Sequence, residues 1–244
     1  MSSTVIIIPT RLKAKRFPNK PLKIINQKEM ILHVHDLAVK SGVGEVLVAT
    51  PDKIISDLIK KNGGKSFLSK DISETGTDRV FEAFQKFYFG EPNYVINLQG
   101  DMPNLNPQDI IKLGNFLKKS NCDIATLASK FEDKKEINDP NIVKVITKQG
   151  IENSDFSKAF DFKRELIDKE SKYIYHHIGI YGFTKEALLR YVNLKRSKLE
   201  MERNLEQMRA MEDKMEIHVG YTNSKPLSVD TEKDLMKIKK IMEA

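Results

Sequence analysis

The chain has 244 residues, 40% hydrophobic and 31% charged, with a formal net charge of +7; that length suits one large domain, residues 1–244, able to bury a substantial apolar interior. A single cysteine, Cys122, rules out an intramolecular disulfide and a cysteine zinc site, and no apolar run approaches the roughly 20 residues of a spanning helix. The excess charge is carried by 33 lysines against 8 arginines, spread along the chain among acids, so the reading is a solvated surface on a cytoplasmic protein with no nucleic-acid and no membrane partner.

Strand and helix patterns alternate through the first half. "TVIII" (4–8) and "EVLVAT" (45–50) are short β-branched apolar runs, as buried parallel strands are, "KSFLS" (65–69) is a weaker third, and "YVINLQ" (94–99) is a strong fourth. Between them lie amphipathic stretches at 29–42 and 52–64, each closed by glycine, then 77–89, then 106–119 with an Asn cap and Pro107 at the first helical position. "DIATLA" (123–128), "NIVKVIT" (141–147) and "YIYHHIGIYGF" (173–183) read as further strands. Residues 148–172, polar and weakly periodic, read as an excursion or dimer-contact arm. "SKLEMERNLEQMRAMEDK" (197–214) reads as one helix with a serine cap, "EIHVGYT" (216–222) as a strand and 231–244 as a closing helix. The order predicts an α/β fold: an open, mixed, mostly parallel sheet with helices on both faces.

In such sheets ligands sit beyond the carboxyl ends of the strands, and the first strand runs into "PTRLKAKRFPNKPL", which holds five cations and no acid. The first glycine of the chain is Gly42, so neither a dinucleotide fingerprint nor a Walker loop can follow this strand. An anion here must be held by side chains, and Arg11, Arg16 and Lys20 suit that task. In this lysine-rich chain arginine marks places where a two-pronged grip on phosphate or carboxylate matters. "VINLQGDMP" (95–103) places Asp101 just past a strand end, where it can bind Mg²⁺ bridging phosphate oxygens or simply make a Gly-Asp turn. "LSVDTEKDL" (227–235) places Asp230 at the start of the last helix, as an N-cap or as a partner of Asp101.

Taken together, "IIIPTRLKAKRFPNKPL", "ETGTDRV", "NLQGDMP", "HHIGIYGF", "LEMERNLEQMRAME" and "VDTEKDL" occur in the order and approximate spacing of the 3-deoxy-manno-octulosonate (KDO) cytidylyltransferases, the CMP-KDO synthetases, and the chain resembles that family from Val5 to about Leu235. The resemblance implies a Rossmann-like nucleotidyltransferase fold, a homodimer, Mg²⁺, and transfer of CMP from CTP to KDO for lipopolysaccharide assembly. It implies that Arg11, Arg16 and Lys20 hold the triphosphate, and that Thr75, Gly76, Thr77 and Gln99 lie near the nucleotide. Asp101 and Asp230 would be the metal ligands, with Arg11 and Lys20 also catalytic. Arg79, His177, Tyr181, Glu200, Glu206 and Gln207 would line the sugar side. Lys158 stands where the family typically has an arginine expected to grip the sugar carboxylate. Met102 stands where an acid is common, and "TNSKPLSVDT" lacks a Pro-Gly pair. These departures keep two alternatives open: the same chemistry on a related sugar acid, such as an 8-amino analogue or another ulosonic acid, and an inactive nucleotide-binding homologue.

Overall fold

A computed structural model describes residues 3–13, 16–70, 73, 75–120, 122–152, 156–166 and 172–243. The first half follows the alternation written in its sequence. Strand β1 (Thr4–Pro9) leads through a basic loop and a single 3₁₀ turn (Lys20–Leu22) to a short hairpin of β2 (Ile24–Ile25) and β3 (Lys28–Glu29), and then to α1 (Met30–Ser41). Next come β4 (Glu45–Thr50), α2 (Lys53–Lys61), β5 (Lys65–Leu68), α3 (Gly76–Phe87), β6 (Tyr94–Leu98) and α4 (Pro107–Lys119). The punctuation acts as its chemistry requires. Gly42 ends α1 with φ +63°, and the Asn106 side chain caps α4 ahead of Pro107.

The second half comprises β7 (Ile124–Ser129), α5 (Lys134–Asn138), β8 (Lys144–Thr147), β9 (Ser157–Lys163), β10 (Ile174–Thr184), α6 (Lys185–Asn193), α7 (Lys198–Arg203), α8 (Gln207–Glu212), β11 (Ile217–Tyr221) and α9 (Glu232–Glu243). Apart from the β2–β3 hairpin, the strands form one sheet in the order β5-β4-β1-β6-β10-β7-β11-β9-β8, with β8 also pairing β10. Pairing is parallel from β5 to β6. It turns antiparallel at β10, which runs against β6, β7 and β8. Among the described residues, parallel pairing returns only where β11 meets β7. The sheet is mixed, as expected, with its parallel part in the N-terminal half and mixed pairing in the C-terminal half.

Helices α1, α2 and α4 cover one face around Ile6, Ile8, Val48, Ile96 and Leu113. Helices α3, α6 and α8 cover the other around Val5, Ile7, Phe84, Leu188 and Met208. A third, smaller cluster joins Phe17 of the basic loop to Val229, Leu235 and Ile238 at the C-terminal end. Helix α4 lies so close to β10 that a Cβ on Gly182 would stand 2.2 Å from Leu117 Cδ1; a larger residue there would force the Leu117 side chain to shift.

Two stretches differ from their sequence reading. Within 148–172, residues Ser157–Lys163 are a strand of the main sheet, pairing β11 and β8. Its alternation is hidden because serine fills an inward position and Phe160 an outward one; residues 153–155 and 167–171 of that stretch lie outside the described residues. The stretch 197–214 is two short helices rather than one. Asn204 adopts the left-handed conformation at the end of α7 (φ 52°), a turn asparagine tolerates. Ser197 does cap α7, in a reciprocal pair with Glu200.

Candidate active site

The basic loop leaves the C-terminal end of β1 and is folded back on itself. Leu12 N–H donates to Asp52 Oδ2 at 2.7 Å, and Asn19 N–H donates to the Leu12 carbonyl at 3.0 Å. Asn19, with φ 59°, then turns the chain so that Lys20 points inward. Next to it the exit of β6 is pressed against the exit of β1, where a Cβ on Gly100 would meet the Pro9 carbonyl at 3.2 Å. Glycine at this point lets Asp101 approach the loop. The C-terminal segment arrives alongside: Val229 N–H donates to the Asp101 carbonyl at 2.9 Å, and Leu227 N–H donates to Asn104 Oδ1 at 2.9 Å. Residues more than 200 positions apart therefore meet at one point.

There the Lys20 ammonium donates to Asp101 Oδ2 at 2.8 Å, to Asp230 Oδ1 at 3.1 Å and to the Val229 carbonyl at 3.1 Å. Arg16 Nη2 holds the other oxygen of Asp230 at 2.7 Å. Burial opposes charge on Lys20, but the two carboxylates outweigh it and hold its pKa above the ordinary value. Around this knot opens a cavity of about 320 Å³ lined by Arg11, Arg16, Lys20, Thr75, Gly76, Arg79, Gln99, Asp101 and Asp230, among others. Thr75 and Gly76 enter it as the cap and first residue of α3. The Thr75 hydroxyl accepts from Asp78 N–H while the Asp78 carboxylate accepts from Thr75 N–H. The cavity is thus a helix N-terminus facing side-chain cations, both favourable to an anion.

A second cavity of about 210 Å³ adjoins it, with Gln99 in the lining of both. Its lining includes Thr77, Arg164, Gly179, Tyr181, Tyr191, Glu206 and Gln207. A polar chain runs along its floor: Gln99 Nε2 donates to Asn97 Oδ1 at 2.9 Å, Asn97 Nδ2 to Thr77 Oγ1 at 3.4 Å, and Thr77 Oγ1 to Glu206 Oε2 at 2.8 Å. Burial raises the pKa of Glu206 despite the bond from Thr77.

Most expected site residues are brought together, some on the other side from where they were expected. Arg79, expected on the sugar side, lines the cation-rich cavity, and its Nε donates to Ser69 Oγ at 3.1 Å. Thr77 belongs to the second cavity. Three residues expected on the sugar side fall outside the linings of both cavities. Lys158 lies on β9, half exposed and paired with Glu216 at 2.6 Å. Glu200 is buried, and Arg209 grips it with two bonds of 2.7 and 2.8 Å. His177 lies behind Tyr181, its ring 5.4 Å away. Thr126 Oγ1 donates to the Ile180 carbonyl at 2.7 Å, so His177 Nε2, 2.9 Å from the same hydroxyl, is its donor. Burial pushes His177 down to about 3, leaving the ring neutral. The pair braces the irregularity between Ile178 and Tyr181 of β10 that turns Gly179 and Tyr181 to the cavity. The cation on the second cavity is Arg164, six positions beyond Lys158. The scarcity of arginine was the signal that could have found it.

A cation-lined cavity at the carboxyl end of a parallel sheet, faced by two acids and adjoining a second polar cavity, defines a nucleotidyltransferase type of site. Comparison with known proteins agrees: residues 5–217 match the profile of the cytidylyltransferase family. The 3-deoxy-manno-octulosonate cytidylyltransferases of Bartonella tribocorum and Bartonella quintana are 37% and 38% identical over 242 residues, 98% of this chain and 98% of each relative. That of Rickettsia canadensis is 35% identical over 99% of this chain and 97% of the relative. A solved CMP:2-keto-3-deoxy-manno-octonic acid synthetase in complex with CTP superposes with a TM-score of 0.87 at 32% identity, covering 98% of both chains. A 4-diphosphocytidyl-2C-methyl-D-erythritol synthase from Anaerococcus prevotii shares the fold at 14% identity and a TM-score of 0.65. The chain belongs to the 3-deoxy-manno-octulosonate cytidylyltransferase family.

Proposed function

We propose that this chain activates KDO: the anomeric hydroxyl oxygen of the sugar acid attacks the α-phosphorus of CTP, the bond to the β-phosphate oxygen breaks, and CMP-KDO and pyrophosphate result. The observation that carries the reading is the pair of adjoining cavities with Gln99 at their boundary. One suits a triphosphate, with Arg11, Arg16 and Lys20 offering positive charge. The other suits a polyhydroxy acid, with Arg164 for the carboxylate and Tyr181, Glu206 and Gln207 for hydroxyls. In this reading Arg79 sits at the nucleotide and the role expected of Lys158 passes to Arg164. Catalysis of this kind is positioning and charge neutralisation, so it needs no covalent nucleophile.

The acids also suit a divalent cation. Asp101 and Asp230 converge on one ammonium-sized position, and no group of three or more acidic, histidine or cysteine ligands is found among the described residues. That is the donor set of Mg²⁺ held by one or two carboxylates plus substrate phosphates. Asp101 and Asp230 would hold it, and it would neutralise charge on the phosphate oxygens. With the carboxylates so engaged, Lys20 and Arg16 would be free to turn toward the triphosphate. A homodimer in the cytoplasm is the proposed setting, on the family resemblance and the free, buried Cys122; among the described residues no helix is long and apolar enough to cross a membrane.

The test is pyrophosphate release from CTP and Mg²⁺ with KDO, with its 8-amino analogue and with N-acetylneuraminate. Release with KDO is expected, lost when Mg²⁺ is chelated. Release only with another acid would reassign the substrate and keep the chemistry. A folded protein that binds CTP and releases nothing with any of the three would overturn the reading.

A further inference from the structure

Lys144, the first residue of β8, is fully buried, an unusual place for an ammonium. What it touches defines what it does. Its Nζ donates to three backbone carbonyls, those of Asp139 at 2.5 Å, Ile142 at 2.9 Å and Arg164 at 2.7 Å. The turn it gathers is further tightened by Asn141 N–H on Asp139 Oδ1 at 2.8 Å and by Ile142 N–H on the Asp139 carbonyl at 3.1 Å.

The two carbonyls between those of Asp139 and Ile142 are taken by the other cation. Arg164 Nη1 donates to the carbonyls of Pro140 at 3.3 Å and Asn141 at 3.4 Å, and its Nη2 to that of Asn204 at 3.4 Å. Four consecutive carbonyls thus face two cations, and the lengths rank the two. The Lys144 bonds are of full-strength, charge-assisted length. The Arg164 bonds are at the long limit, and a carboxylate offered in the adjoining cavity would outcompete neutral carbonyls at that distance. Lys144 therefore shapes the turn, while the Arg164 guanidinium rests on it within reach of a better partner. The bond to the Arg164 carbonyl fixes the backbone from which that guanidinium extends, one residue past β9.

We propose that Lys144 is a positioning residue for sugar-acid binding: by holding the 139–142 turn and the Arg164 carbonyl together, it aims the Arg164 guanidinium into the second cavity. This inference rests on the reading of Arg164 as the partner of the substrate carboxylate. Without the ammonium, the Ile142 carbonyl loses this donor and the Asp139 carbonyl keeps only the Ile142 N–H; the turn loosens, and Arg164 follows it away from the cavity. The nucleotide side is built on the exits of β1 and β6 rather than on this turn, and meets it through the charges of Arg16 and Asp230, which Arg164 feels.

Steady-state kinetics with KDO and CTP on Lys144→Met, Arg164→Ala and the double variant test it. Each single change is expected to raise KM for KDO about tenfold or more, with KM for CTP within about twofold, and the double variant to be no worse than Arg164→Ala alone. Lys144→Arg, which keeps charge and donors, is expected to recover most of the loss. Equal rises in both KM values, or a full additional loss in the double variant, would overturn the proposal and leave Lys144 a merely structural lysine. If Arg164→Ala leaves KM for KDO unchanged, the carboxylate assignment itself fails. If Arg164→Ala raises it and Lys144→Met does not, only the positioning role fails. Should Lys144→Met not fold, Lys144→Gln keeps two amide donors; a KM for KDO between wild type and Arg164→Ala supports the proposal, and a wild-type value overturns it.

Discussion

At the scale of single residues, the site is a charge balance written in side chains. Lys20 satisfies two carboxylates at once, and Arg16 shares one of them. Substituting Asp101→Asn removes one of the two acids that converge there without changing the side chain's size. Turnover is expected to fall at least about 10²-fold, the scale seen when one charge-stabilising group is lost from a reacting centre. Asp101 is partly exposed, at 23% of its side-chain surface, so the fold should survive the change. A melting temperature within a few degrees of wild type, alongside the lost pyrophosphate release, would show that the acid serves chemistry. Recovery of turnover by excess Mg²⁺ would point to weakened metal binding, whereas undiminished turnover would remove Asp101 from the mechanism.

At the scale of elements, the corner between α7 and α8 shows how a structural pair can sit beside a site without belonging to it. Glu200 is 1% exposed and Arg209 4%. Arg209 also lies over the Tyr191 ring, 4.7 Å from its centroid, and Tyr191 donates to the Glu206 carbonyl at 3.0 Å. The pair thus holds the corner that presents Glu206 and Gln207. Glu200→Gln would leave Arg209 buried without its full counter-charge, and about 3–5 kcal/mol of stability is expected to be lost. Burial raises the Glu200 carboxyl pKa, but the bonds from Arg209 and Arg196 outweigh it and hold it below the ordinary carboxylate range. A lowered carboxyl pKa contributes stability that is present above the unfolded value, about 4.3 for a glutamate, and is lost as pH falls through the folded value. Urea denaturation of wild type and variant from pH 7 downward checks this: the gap between them should close only below about pH 4.3.

The same corner shows what a sequence can and cannot disclose. Periodicity and caps announced the N-terminal strands and helices because each is a local property, and the signals at Gly42, Asn106, Pro107 and Ser197 hold. The basic loop, Asp101 and Asp230 were legible because residues at the exits of central strands have few places to be. Glu200 lies outside both cavity linings because one helical turn decides whether a side chain faces a cavity or an arginine, and the break at Asn204 shifts the helical phase of α8 relative to α7. Lys158 lies outside both linings for a related reason: β9 presents it outward beside Phe160, and the strand itself was hidden. Arginine's scarcity could have singled out Arg164, but its place, like that of Lys144, depends on contacts between β8, β9 and the turn before β8, which no local pattern encodes.

At the scale of the whole molecule, the nucleotide side is closed by the two ends of the chain. Phe17, next to Arg16, and Val229, next to Asp230, belong to a small apolar cluster with Leu235 and Ile238 of α9, separate from the two large cores on the sheet faces. Packing in this satellite holds the basic loop and Asp230 in register, while the second cavity is walled by β10 and the α7–α8 corner. Leu235→Ala should open a cavity in the cluster at a cost of about 2–5 kcal/mol. Because the large cores are untouched, that cost is expected to appear as local loosening of the two ends rather than as global unfolding. CTP, which would bind only the closed arrangement, then pays for the closure, so its apparent Kd should rise while KM for KDO at saturating CTP stays near wild type. Hydrogen exchange should speed up in the basic loop and α9 and remain slow in β1 and β6. Uniform acceleration across the sheet, or an unchanged affinity for CTP, would mean that the satellite cluster is ordinary core and that the site keeps its shape without it.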